Sequence, residues 1–132
     1  MPAATQYVSN TGIIILSTFP SEESVTDIAN KVVKNKNCAC VNFMKIRSIY
    51  SWHGKLEDQQ EFIALFKTTD KSAKSLKTEI VRLHPYEIPE IIELRIKDIS
   101  EPYMSWLVES TDGVTKNRYY TTKRRNPKAD VC

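Results

Sequence analysis

The sequence has few of the residues from which catalytic sites are usually built: its 132 residues include only three glycines, three cysteines and two histidines. Three separate glycines cannot form a Gly-rich phosphate-binding loop. The sequence also shows no nucleophile beside a plausible base and no pair of carboxylates with opposed roles. These absences argue against an enzyme, and we expect a binding function instead.

Long hydrophobic runs are absent as well. Apolar runs such as Ile13 to Leu16 are far too short to span a bilayer, and the N-terminus lacks a basic region followed by an apolar signal segment. We therefore expect no membrane association and a cytoplasmic location. Three cysteines cannot all pair within one molecule, and the spacing of Cys38 and Cys40 suits no simple disulfide. Reduced thiols are expected, with Cys132 at the chain end open to oxidation.

Charge is unevenly distributed along the chain. Residues 113–132 hold six Lys and Arg against one Asp, a net charge of +5, so the first 112 residues carry −2 of the total of +3. We divide the chain into an N-terminal extension (1–11), one globular domain (12–112) and a basic C-terminal extension (113–132). Tyrosines among the cations of this extension could stack on nucleic-acid bases. We favour a solvated extension or an added edge strand, and expect no nucleic-acid partner.

The start of the domain predicts a buried strand followed by an amphipathic helix. Gly12 to Thr18 is a continuous apolar and β-branched run, typical of a strand that is covered on both faces. Ser21 can cap the following helix, apolar residues recur at helical spacing from Val25 to Val33, and Asn35 to Asn37 ends the pattern. This helix is expected to pack on the sheet.

A long hairpin follows. Cys38 to Trp52 and Leu56 to Thr69 are rich in β-branched and aromatic residues, and His53-Gly54 between them is typical of a tight turn. The alternation of the first of these strands changes phase near Met44 to Ile46, which indicates a bulge. Asp70 can then cap a second helix, which has to end before a proline.

The last part of the domain predicts a strand over Glu90 to Ile96 and a short helix opened by Ser100-Glu101-Pro102. The order β-α-β-β-α-β with a C-terminal helix is the split βαβ pattern of ferredoxin-like α+β domains. We expect a four-stranded antiparallel sheet with two helices on one face. The other face and the long hairpin would expose apolar and aromatic residues in a monomer, so we expect an oligomer.

The stretch from His84 to Ile92 joins the second helix to the fourth strand. Its two prolines lack an amide hydrogen and push the residues before them toward extended geometry. The stretch should therefore be a stiff, extended connector. Four side chains that could bind a ligand would be held in nearly fixed positions: His84, Tyr86, Glu87 and Glu90.

Six segments carry a further signal: Ser17 to Ser21, Cys40 to Asn42, Ile46 to Lys55, Phe66 to Thr68, His84 to Ile92 and Tyr103 to Leu107. They span roughly residues 12–110, and in this order they resemble the CutA divalent-cation tolerance proteins. The resemblance implies a ferredoxin-like fold assembled as a homotrimer through the sheets and the hairpin, and an association with copper and other divalent cations. Closing three domains into one body hides sheet edges, so we expect high thermal stability.

The resemblance also implies a metal site around the histidine of the His-Pro-Tyr segment. Some family members carry a cysteine near the end of the first strand and a second histidine, but this chain has Ser17 and Leu83 there. The remaining candidate ligands are His84, Glu87 and Glu90, with Glu61 as a further carboxylate. One imidazole with carboxylates fits weak binding of Cu(II) or another divalent cation better than tight capture of Cu(I).

A structural role for the same residues is the alternative. His84 would then be a hydrogen-bonded histidine beside two prolines, and Glu87 and Glu90 would pair with cations of a neighbouring subunit. Aromatic residues and Arg are favoured at buried interfaces. On that basis the residues expected at subunit contacts are Arg47, Tyr50, Trp52, Tyr86 and Trp106.

We therefore expect a trimeric protein that binds divalent cations, copper among them, and contributes to metal tolerance. The alternative is a signalling or scaffold trimer, similar in shape to the PII proteins. Such a trimer would take a small molecule or a protein partner in clefts between its subunits, and its metal binding would be incidental.

Overall fold

A computed structural model describes residues 10–112 and 130–132. The elements follow in this order: β1 (Gly12–Phe19), α1 (Glu22–Lys34), β2 (Cys40–Trp52), β3 (Lys55–Thr69), α2 (Asp70–Leu83), β4 (Ile92–Arg95) and α3 (Glu101–Asp112). The strands form one antiparallel sheet in the order β2-β3-β1-β4. The predicted ferredoxin-like topology is confirmed. The structure does not describe most of the two predicted extensions, 1–11 and 113–132. The domain boundaries therefore stay predictions.

The core lies between the sheet and the helices α1 and α2. Ile13, Ile15 and Phe19 alternate along β1 and are fully buried, as the prediction of a central strand required. The buried residues of the two helices complete the core: Val25, Ile28, Val32, Ala73, Leu76 and Ile80. None of the helices in the described part of the chain is long and apolar enough to cross a membrane.

The two predicted helix caps have different outcomes. Ser21 caps α1, because its hydroxyl oxygen accepts a hydrogen bond from the amide of Ser24 at 3.1 Å. Asp70 was expected to cap α2 and does not: the N-cap residue is Thr69, which makes no side-chain cap bond. Asp70 is the first residue of the helix, since β3 runs into α2 without a loop. Its carboxylate instead accepts a bond from the amide of Thr11 at 3.3 Å.

The long hairpin is regular throughout. The pairing of β2 with β3 runs without interruption from Cys40 opposite Lys67 to Trp52 opposite Lys55, so the predicted bulge is wrong. The predicted tight turn is confirmed, with positive φ at His53 (51°) and Gly54 (77°), as a two-residue hairpin turn requires. The alternation of apolar and polar residues that suggested a bulge changes for another reason. β2 projects beyond the helices, where both of its faces are largely exposed.

The face of the sheet opposite α1 and α2 is partly covered by α3. Lys67 follows the buried Phe66 on β3 and therefore points to this opposite face. Its ammonium lies 5.9 Å from the ring centroid of Tyr103 on α3. Leu107 on the same helix is fully buried. The rest of this face carries partly exposed apolar residues of β2 and β4.

Two of the three cysteines pair. Cys40, the first residue of β2, forms a disulfide with Cys132, so the expectation of reduced thiols is wrong for this pair. Spacing along the sequence could not show it, because the partners are 92 positions apart. Cys38 remains a free, fully buried thiol, and burial raises its pKa to about 12.

Two fully buried hydroxyls in the core allow a matched test of stability. The Ser17 hydroxyl has no hydrogen-bond partner among the described residues, whereas the Thr68 hydroxyl donates to the carbonyl oxygen of Asn37 at 2.8 Å. We expect Ser17→Ala to raise the free energy of unfolding by about 1 kcal/mol and Thr68→Val to lower it by about 1 kcal/mol. Urea unfolding measures both. A loss of stability in Ser17→Ala would contradict the absence of a partner.

Candidate functional site

The connector between α2 and β4 is anchored by its first residue, His84. β4 is short and pairs with β1 only from Ile13 to Leu16, so β1 continues beyond its partner. His84 Nε2 lies 2.8 Å from the carbonyl oxygen of Thr18, in the part of β1 that β4 does not pair with. The imidazole therefore satisfies a backbone group that a longer β4 would have bonded.

Both nitrogens of the His84 ring are engaged. Nδ1 accepts a hydrogen bond from the amide of Tyr86 at 3.1 Å, so the contact to the Thr18 carbonyl requires a proton on Nε2. The ring also stacks on Phe19, with centroids 4.4 Å apart and an interplanar angle of 18°. Burial lowers the pKa of His84, against the opposing effects of the Thr18 carbonyl and the Glu61 charge. The neutral imidazole is the form that fits.

Tyr86 connects the connector to a buried carboxylate on β3. Its hydroxyl donates to Glu61 Oε2 at 2.5 Å, and Glu61 is only 6% exposed. Burial and the hydrogen bond to Glu61 raise the pKa of Tyr86, so its phenol remains a donor. No Lys or Arg of the described residues forms an ion pair with Glu61. Among the described residues, the hydrogen-bond donor to this buried carboxylate is the phenol of Tyr86.

A groove of about 590 Å³ lies beside Glu61 and Tyr86. Its walls come from the end of β1, the hairpin strands and the connector. The lining residues are Thr18, Ile46, Ser48, Ile49, Tyr50, Trp52, Glu61, Ile63, Tyr86, Glu87, Ile88 and Glu90. They combine three carboxylates with aromatic and aliphatic groups, and no Lys or Arg is among these described residues. The groove in this chain is thus suited to a positively charged ligand.

The predicted metal ligands are only partly brought together. Glu87 and Glu90 line the groove, whereas His84 is not among the lining residues and has both of its nitrogens engaged. Within residues 10–112 and 130–132, no three His, Cys, Asp or Glu side chains form a group that could hold a metal ion. The set His84, Glu87 and Glu90 therefore stays a prediction for this chain.

The residues predicted at subunit contacts lie in three places. Tyr50, Trp52 and Tyr86 line the groove, and the first two are each 39% exposed. Arg47 points away from it and pairs with Asp58 at 2.6 Å, which lowers the pKa of that carboxyl. Trp106 lies on α3, beside the ring of Tyr103. Their place at subunit contacts stays a prediction.

Sequence reasoning treated Glu61 as an accessory ligand, but the structure places it at the centre of the site. Burial along β3 does not alternate at this point, because Glu61 and Phe62 are consecutive and both buried, and the sequence does not show this. The burial of Glu61 comes from the connector, which is 25 positions away at Tyr86. The one available signal was an acidic residue directly before the apolar run that begins at Phe62.

Comparison with known proteins decides the family. Residues 13–110 match the family described as CutA1 divalent ion tolerance protein. The chain belongs to the CutA1 family. The divalent-cation tolerance protein CutA of Thermotoga maritima is 42% identical over 98 residues, which cover 74% of this chain and 97% of that protein. The resemblance seen in the sequence is confirmed.

Solved CutA structures have the same fold. CutA1 from Pyrococcus horikoshii gives a TM-score of 0.74 at 38% identity, covering 76% of this chain and 98% of that one. The periplasmic divalent cation tolerance protein CutA from Archaeoglobus fulgidus gives a TM-score of 0.74 at 30% identity, covering 76% and 99%. The likeness thus extends over nearly the whole of these CutA chains.

Proposed function

We propose that this CutA1-family chain binds divalent cations, copper among them, and contributes to metal tolerance. The observation that carries the proposal is the Glu61 carboxylate, which is 6% exposed, faces the groove and has no ion-pair partner among the described residues. A buried charge is costly unless an opposite charge compensates it. A cation in the groove would supply that charge, in agreement with the tolerance function named for the relatives.

The proposed protein ligand is the carboxylate of Glu61. Glu87 and Glu90 lie on the wall of the same groove, where their charges would attract a cation. Oxygen ligands favour hard or borderline divalent ions over Cu(I). Ser17, at the position where some relatives have a cysteine, is fully buried and supplies no soft ligand. We therefore propose weak, partly hydrated binding of Cu(II) or a similar ion. The proposed role is binding and not catalysis.

We also propose that the working form is a homotrimer located in the cytoplasm. Several apolar side chains of the hairpin and of β4 are exposed in the single chain: Met44 (63%), Ile49 (61%), Leu56 (79%), Ile92 (43%) and Leu94 (43%). Exposed apolar surface of this kind marks a protein contact. A neighbouring subunit on the hairpin would also close the open side of the groove and further desolvate Glu61.

Calorimetric titration with CuCl₂ tests the cation proposal. We expect Glu61→Gln, which keeps the size and the bond to Tyr86, to weaken Cu(II) binding at least about tenfold. Glu23→Gln, which removes a carboxylate from the first turn of α1, is the matched control and should bind like the native chain. The predicted ligand His84 is tested by His84→Phe in the same titration. Unchanged affinity in Glu61→Gln would refute the site.

A second candidate function is binding of a small molecule in the same groove. Its volume of about 590 Å³ exceeds the needs of a bare ion, and Tyr50, Trp52 and Tyr86 offer aromatic surface. A thermal-shift screen separates the candidates, because a ligand of the folded state raises the melting temperature by mass action. A shift with metal ions and none with metabolites would favour the cation role.

A further inference from the structure

The C-terminal residues 130–132 return to the sheet at the start of β2. Cys132 and Cys40 are bonded there, with Cα atoms 6.2 Å apart, inside the usual range for a disulfide. The matched family region covers residues 13–110, so this bond joins Cys40 of the shared domain to Cys132 of the extension. We propose that Cys40 and Cys132 form a redox-reversible clasp that docks the C-terminus on β2.

The docking place is an end strand of the sheet, where one side of the backbone has no strand partner in the described chain. Asn42 lies beside both sulphurs, with its amide nitrogen 3.9 Å from Cys132 Sγ and its Oδ1 3.6 Å from Cys40 Sγ. Cys40 is opposite Lys67, which contacts Tyr103 of α3. The helix α3, which precedes the extension, and Cys132, which lies in the extension, therefore contact the same part of the sheet.

The pairing is selective among the three cysteines. Cys38 is two positions from Cys40, but it is fully buried. Its pKa, raised to about 12 by burial, leaves almost no thiolate for exchange at neutral pH. Cys132 is exposed and Cys40 is 5% exposed. An external disulfide can therefore reach Cys132 first, and Cys40 then resolves the intermediate.

Glutathione disulfide is a sufficient oxidant for this step. The Cys132 thiolate attacks one sulphur of glutathione disulfide, forms a mixed disulfide and releases one glutathione thiolate. The Cys40 thiolate then attacks the Cys132 sulphur and releases the second. The protein loses two electrons and two protons, and one glutathione disulfide becomes two glutathione thiols. Excess glutathione reverses both steps.

The clasp changes the covalent form of the basic extension. When it is closed, the six Lys and Arg of residues 113–132 lie within a ring that the Cys40–Cys132 bond completes. When it is open, no covalent bond joins Cys132 to β2. A reducing glutathione pool, as in cytosol, favours the open form, and an oxidising compartment favours the closed form.

Peptide mapping of the full-length chain tests the clasp. The chain is equilibrated in glutathione buffers of increasing disulfide-to-thiol ratio, free thiols are blocked with N-ethylmaleimide in denaturant, and tryptic peptides are analysed by mass spectrometry without reduction. We expect peptide 129–132 to be linked to peptide 37–45 in oxidising buffer and to be free in reducing buffer. Peptide 37–45 contains both Cys38 and Cys40. The link should therefore persist in Cys38→Ser and be lost in Cys40→Ser.

A second measurement uses the folded protein. The closed ring restricts the unfolded chain, so the oxidised protein should melt on the order of 5–10 °C above the reduced one, and Cys132→Ser should show no redox-dependent shift. Three results of the peptide map would overturn the clasp: a link from Cys132 to Cys38, a link between Cys132 of two chains, or blocked thiols in every buffer. A bond that glutathione reduces at no ratio would overturn its reversibility.

Discussion

Ile49→Asp is expected to convert the proposed trimer into monomers with a mass near 15.2 kDa. Ile49 lies on β2 and is 61% exposed in the single chain, so the substitution leaves the fold of one subunit intact. In the assembly the new carboxylate would be buried without a partner, at a cost of several kcal/mol. Threefold symmetry repeats that cost at each contact. We expect association to weaken more than about a thousandfold, as sedimentation or light scattering would show.

Val81→Asp is the matched control for this experiment. Val81 is also β-branched and 55% exposed, but it lies on α2, away from the hairpin. It should remain trimeric, and circular dichroism should show native secondary structure in both variants. A trimer in both variants would mean that the hairpin is not the assembly surface. Monomers in the native chain would refute the trimer itself.

Much of the fold follows from local patterns in the sequence. The run from Ile13 to Leu16 indicated a strand covered on both faces, and β1 is indeed central, between β3 and β4. Ser21 and the His53-Gly54 turn act locally, so the residue types were sufficient to predict them. The bulge was predicted wrongly because the alternation of apolar and polar residues depends on burial as well as on strand register. Beyond the helices neither face of β2 is buried, so the alternation changes there although the register does not.

The site depends on contacts between distant parts of the chain, which no local pattern records. The prolines indicated the connector, and His84 was predicted as a metal ligand, with a hydrogen-bonded structural role as the alternative. Its bond to Thr18, however, spans 66 positions, and that of Tyr86 to Glu61 spans 25. Because of these contacts, His84 is a hydrogen-bonded residue, and the buried carboxylate without an ion-pair partner among the described residues is Glu61. The Cys40–Cys132 disulfide was missed for the same reason.

His84→Ala is expected to lower the free energy of unfolding by about 3 kcal/mol, a large effect for a partly buried residue in a connector. The substitution leaves the Thr18 carbonyl and the Tyr86 amide without their partner and removes the stack on Phe19. His84→Phe keeps an aromatic ring on Phe19 but loses both hydrogen bonds, so it should recover about 1 kcal/mol of this loss. Urea unfolding of the two variants separates stacking from hydrogen bonding. Equal losses would show that the stack contributes nothing.

The same histidine should make stability depend on pH in a definite direction. Burial lowers the pKa of His84 below its ordinary value of 6.5, so near that pH the unfolded chain binds more protons than the folded chain. The contribution of His84 is therefore complete above pH 6.5 and is lost as the pH falls toward the lower folded pKa. Urea unfolding between about pH 5.5 and 7.5 measures this slope, with His53→Gln in the background so that one imidazole remains. The slope should disappear in His84→Phe, whose ring cannot take up a proton. An equal slope in that variant would assign the pH dependence to the carboxylates and not to His84.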